Sequence, residues 1–213
     1  MKILKSLFIK IAWLLVIPVF SSLAMATDMN IFGLPLGKKF IVPECKKIKN
    51  GQQVVYRISG NEVCFEKLPA DALTSDELIK DSVIINFPKS EGTKIISGYR
   101  MLALILDGKL EGAGFNTDGA YNSGMVFENL KGKYGAPTGL IEKVVENRQG
   151  NTFDTFYAIW NLSDLFVSFQ SVRNSLNNGL VSIYTKRGKK WKDERLRKLT
   201  KDRFPWLKDK RPF

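Results

Sequence analysis

Four residues could carry chemistry in this chain: the glutamates Glu142 and Glu146 and the cysteines Cys45 and Cys64. The glutamates stand four apart in a strand-like run, which places both on one face. A carboxylate pair so placed can in principle cleave a glycosidic bond, one group acting as acid and the other as base or nucleophile. Charged residues alternating with apolar ones are equally the signature of a half-solvated strand, and that structural reading is the weightier one. Two cysteines at this separation in an oxidising compartment read as one disulfide, whose constraint on the unfolded chain is worth about 3 kcal/mol. There is no histidine, which removes Ser-His-Asp and Cys-His catalysis and any His-based zinc or iron site. Gly112-Ala113-Gly114 lacks the spacing of a phosphate loop. No cofactor or metal is indicated.

A second chemistry is electrostatic. Residues 186–213, KRGKKWKDERLRKLTKDRFPWLKDKRPF, hold thirteen Lys or Arg against four Asp or Glu. Of the 33 basic residues, three more lie in the first ten positions, so the seventeen between Thr27 and Thr185 balance seventeen acidic ones. The body is neutral and the tail carries the basicity. Trp191, Leu196 and Leu199 fall in one sector of a helix, and Asp193–Arg197 and Glu194–Lys198 are supporting pairs four apart. Phe204-Pro205-Trp206-Leu207 adds an aromatic knot. Such a helix suits an anionic surface, where each Lys or Arg contributes about 1 kcal/mol and Trp prefers the interface. Trp191, Lys192, Arg195, Arg197, Lys198 and Lys201 are the residues expected to lead that attachment. The plainer reading is a solvated helix whose Trp191 and Leu199 dock on the body. Nucleic acid would satisfy the same charges, but export makes that target scarce.

Export follows from the other end. Lys2, Lys5 and Lys10 precede an apolar stretch from Ile11 to Phe20, and Ala24-Met25-Ala26 precedes Thr27. That is the layout of a cleavable secretory signal over residues 1–26. Lys10 and Ser21-Ser22 hold the apolar run short of the roughly 20 residues that a membrane span needs. No cysteine follows the small residues, so no lipid-modified N-terminus is indicated. The expected product is a periplasmic or secreted protein, with a single domain over 27–185 and a basic tail over 186–213. Its 187 residues suffice for one core.

The elements that must position these groups can be read in order. Val54-Val55-Tyr56 and Val63-Cys64-Phe65 read as two short strands, with the disulfide tying them back to Pro43-Glu44-Cys45. Thr74-Ser75-Asp76-Glu77 has capping-box spacing for a short helix, which Asp81 and the β-branched run Val83-Ile84-Ile85 would end. Met101–Leu106 and Lys109–Phe115 flank Asp107-Gly108, a two-residue turn that wants positive φ at both positions; this predicts a hairpin. Asn122 or Ser123 caps a helix whose Val126, Phe127, Leu130 and Tyr134 share a face, and Gly135 with Pro137 stops it. Leu140–Val145, Phe153–Trp160, Leu165–Phe169 and Leu180–Tyr184 read as four antiparallel strands. The fold class is therefore α+β: an antiparallel sheet packed with one main helix in two layers, plus a basic C-terminal helix or tail.

Phe32-Gly-Leu-Pro-Leu-Gly37, Pro43-Glu-Cys45, Cys64, Gly114-Phe-Asn-Thr-Asp-Gly119 and Leu130-Lys-Gly-Lys-Tyr-Gly-Ala-Pro-Thr138 resemble an uncharacterised group of exported proteobacterial proteins over most of residues 31–185. The helix, its Lys-Tyr-Gly-x-Pro stop and the following strands are also similar to the helix-on-sheet modules of outer-membrane assembly lipoproteins and β-lactamase-inhibitor-like proteins. That resemblance implies a protein-contact module of the bacterial envelope without catalytic activity, and it carries over no functional residue. The leading expectation is a non-catalytic, exported envelope-accessory or binding protein, its tail attaching it to an anionic membrane surface or an envelope protein. The alternatives are a carboxylate-dependent hydrolase of an envelope polymer using Glu142 and Glu146, and an inhibitor of a hydrolase that presents an exposed aromatic loop.

Overall fold

The computed structural model describes residues 29–50, 53–57, 62–68, 81–88 and 94–203. The expected leader, the short helix expected from Thr74 and the aromatic knot at Phe204–Leu207 lie outside the described residues.

The described chain begins with β1 (Asn30–Ile31), β2 (Leu34–Pro35), β3 (Lys46–Asn50), β4 (Gln53–Arg57), β5 (Cys64–Lys67) and β6 (Ser82–Asn86). The hairpin of β7 (Arg100–Leu106) and β8 (Lys109–Thr117) leads to helix α1 (Ser123–Tyr134). Then come β9 (Gly139–Glu146), β10 (Thr152–Asn161), β11 (Leu165–Ser175), β12 (Asn178–Thr185) and helix α2 (Lys186–Arg203). The hairpin forms as its turn dictates, with Asp107 at φ 48° and Gly108 at φ 69°.

Eight strands make one antiparallel sheet in the order β5-β6-β7-β8-β12-β11-β10-β9. It consists of two four-stranded meanders, and the β8–β12 pairing from Gly179↔Thr117 to Tyr184↔Gly112 joins them. Two placements go beyond the sequence reading. The run Val83-Ile84-Ile85 is β6, inside the sheet between β5 and β7, because β-branched residues buried on a pleat favour a strand. The Val54–Tyr56 strand pairs with β3 in a two-stranded ribbon separate from the main sheet.

The strand alternation sorts residues cleanly between the two faces. In β11, Leu165, Val167 and Phe169 are fully buried on one face, and Phe166, Ser168 and Gln170 line the other. The buried face meets α1 through Val126, Phe127, Leu130 and Tyr134, the stripe that the sequence predicts. Phe127 stacks on Phe156 at 4.5 Å and leans on Trp160, whose indole N–H donates to the Gly135 carbonyl at 2.8 Å. The N-terminal segment covers the rest of this face, with Phe32 edge-on to Phe87 and Phe115. At the sheet edge, Cys45 and Cys64 are bonded with Cα atoms 4.9 Å apart. Phe65 pairs there with the Cys45 segment, accepting from the Cys45 N–H and donating to the Pro43 carbonyl. The far edge, β9, keeps Leu140, Ile141 and Val144 exposed.

Candidate functional site

The tail helix begins without a loop where β12 ends. The Thr185 hydroxyl accepts the Gly188 N–H at 3.0 Å, as a helix cap does, and donates to the carboxylate of Glu111. Glu111 is the extra residue of a bulge in β8, and its buried carboxylate sits at the positive end of the α2 dipole. Arg187 reaches Glu111 at 3.5 Å and is ion-paired with Asp107 in the hairpin turn. Its hydrogen bond to the Asp107 carboxylate, outweighing desolvation, raises its pKa above the ordinary guanidinium value. Gly188 rests directly on β8: a Cβ there would stand 2.0 Å from the Glu111 carbonyl oxygen. Gly188→Ala is therefore expected to cost about 1–3 kcal/mol by overpacking against a backbone atom. Urea unfolding measures it, and an unchanged midpoint would mean that the helix is not seated there.

Beyond this anchor, α2 crosses the sheet face opposite α1, adding a third layer to the expected two. The Tyr184 ring covers Gly112, where a Cβ would lie 2.2 Å from it. Lys192 sits over that ring at 4.5 Å and donates to its hydroxyl at 3.1 Å. Lys189 lies over Phe166 at 4.6 Å. Beside the helix, the open face holds a groove of 570 Å³. Leu102 of β7, Gly114 of β8 and Ser182 of β12 lie side by side in register across its floor. One end, under α2, is lined by Leu104, Tyr184 and Trp191, and the other by Ser97, Arg100, Asn116 and Arg173. No carboxylate lines it among the described residues. Arg100 is half-exposed and paired with Glu66 at 3.3 Å. Glu66 also accepts from buried Asn86 at 2.7 Å, whose amide lies 3.7 Å from the Cys45 sulfur.

The residues expected to meet an anionic surface divide between two sides of α2. At 100° per residue, Trp191, Lys192 and Arg195 turn toward the sheet and are half-buried. Trp191 and Lys192 border the groove, and Arg195 covers the Trp191 ring at 5.3 Å. Arg197 is exposed on the other side, together with Lys190, while Lys198, seven residues after Trp191, is exposed on the flank next to that ring. Lys201 lies in the last turn, its side chain outside the described residues. The groove residues Arg100 and Arg173 carry no sequence motif; the small side chains at alternate positions 112 and 114 are the one local signal of a trench.

Glu142 and Glu146 do not converge. They are exposed on the edge strand β9, opposite Phe156 and Thr152, and four residues of strand separate them by about 13 Å. That exceeds the roughly 5–9.5 Å that glycoside hydrolysis uses. Among the described residues no cluster of His, Cys, Asp or Glu could hold a metal ion, and no helix is long and apolar enough to cross a membrane. No family model, curated protein or solved structure matches the chain.

Proposed function

We propose that this is a non-catalytic, exported binding protein of the bacterial envelope, which its C-terminal helix attaches to an anionic membrane surface. One observation carries the reading. Between Lys186 and Arg203 stand ten basic and three acidic residues, on a helix whose first turns are fixed to a neutral body and which exposes Lys190 and Arg197 on its outer side and Lys198 on its flank. The rigid anchor of Thr185, Glu111 and Gly188 holds these cations in place, so little ordering is lost on contact with a charged surface. The disulfide suits an oxidising compartment, and the motif resemblance to exported proteobacterial proteins points the same way.

The test uses vesicles containing phosphatidylglycerol. The protein should sediment with them at low salt and be released near 1 M salt, where the screening length falls to about 3 Å. Combined Lys190→Glu, Arg197→Glu and Lys198→Glu should weaken partitioning roughly a hundredfold or more, at about 1 kcal/mol for each cation. All three side chains are exposed, so the fold is spared. Equal partitioning of the variant, or binding that salt does not reverse, would overturn the reading.

A further inference from the structure

We infer that the groove on the open sheet face is a binding site for a single-chain anionic amphiphile: an aliphatic chain with one acidic head group. The inference stands apart from surface attachment, which uses the exposed cations of α2. Three features of the groove carry it. Its volume of 570 Å³ lies in the range of small-molecule sites. Its walls are aliphatic or aromatic over the greater part, with Ile84, Leu102, Leu104, Leu180 and Trp191 around a floor of Gly114 and Ser182. The charged residues of its lining are all cations, Arg100, Arg173 and Lys192, with no carboxylate among the described lining residues; Glu66 holds Arg100 from outside the groove at 3.3 Å.

The groove also has a direction. Lys192 is engaged with Tyr184 under α2, where Leu104 and Trp191 make an apolar end. Arg100 and Arg173 lie at the other end beside Ser97 and Asn116. From Leu180 to Tyr184, four residues of β12 span about 13 Å between the two ends. A carboxylate or phosphate would sit against the guanidinium fork of Arg173, which matches planar oxygen pairs, with Arg100, held by Glu66 at 3.3 Å, as a second cation beside it, while the chain runs along β8 and β12 toward Trp191. An extended peptide fits less well. Peptides add to a sheet at its edge, where main-chain groups are open, whereas those of β8 and β12 are already paired with each other.

Gly114 supplies the test. A Cβ there meets nothing nearer than 3.7 Å, and its φ is not in the left-handed region, so a larger side chain fills the trench without forcing the backbone. Protein recovered from cells producing the whole chain is titrated calorimetrically with dodecanoate, dodecanol and acetate, each below its aggregation limit. A second anionic arm, a dodecyl-chain lysophosphatidylglycerol, tells a carboxylate head from a phosphate one. One-to-one binding of at least one of the two chain-bearing anions is expected, at least tenfold tighter than dodecanol, with acetate silent. Gly114→Val should weaken it more than tenfold at an unchanged melting temperature. Arg173→Gln, at an exposed position, should weaken the anion and leave dodecanol alone. Absence of saturable binding by both anions, or full binding by Gly114→Val, would overturn the proposal. The charge-reversal variant should keep this affinity, so failure here is separable from failure of surface attachment.

Discussion

Replacing Trp160 with alanine is expected to lower stability by about 3–5 kcal/mol, the range for removing a large buried aromatic. Trp160 is fully buried, and its ring is shared between Phe127 and Tyr134 of α1. Its indole N–H also occupies the Gly135 carbonyl at the end of that helix. The substitution therefore opens a cavity and strands a backbone acceptor in the same place. Urea unfolding should show a lower midpoint at unchanged slope. A loss below about 1 kcal/mol would mean that α1 is not the cover of this face.

Breaking the Cys45–Cys64 bond is expected to cost about 3 kcal/mol, since it releases a loop whose ends are 19 residues apart. Both sulfurs are buried, and the neighbourhood depends on them. Glu66 and Asn86 connect the bond to Arg100, which borders the groove. A Cys45→Ser, Cys64→Ser double variant should thus unfold at lower denaturant. Reductant should shift the native protein by the same amount and leave the double variant unmoved. Equal stability of native and double-variant proteins would remove the bond from the account of what holds β5.

Much of this architecture is local and therefore legible in the sequence. Asp107-Gly108 specifies its own hairpin, Gly135 ends its own helix, and the alternation in Leu165–Phe169 names its own buried face. The cysteine pair needs only an even count and an oxidising setting. What was not legible depends on partners distant in sequence. Val83-Ile84-Ile85 has a pattern that ends a helix as well as it fills a strand, and only its neighbours β5 and β7 decide. The joining of the two meanders rests on Gly112 and Gly114 of β8 meeting Tyr184 and Ser182 of β12, and no short-range pattern encodes that pairing.

The candidate site was less legible still. Trp191 and Lys192 read as part of a surface-seeking helix, with docking of Trp191 on the body as the plainer alternative, because composition records charge without direction. The direction comes from Gly188, whose missing side chain lets the helix lie against β8 and turns Trp191 toward the sheet. Arg100 and Arg173 come from β7 and β11 and meet only across the folded face. A groove assembled from separate strands leaves no spacing to find.

The segment around Cys45 does one thing more. By occupying both main-chain groups of Phe65, it terminates the hydrogen-bond ladder at β5, so no foreign strand can dock there. At β9 the ladder has no such stop among the described residues, and Glu142, Lys143 and Glu146 interrupt an edge that Leu140, Ile141 and Val144 would otherwise make adhesive. Oxidised, the sheet can grow from one side only, and that side is guarded by charge.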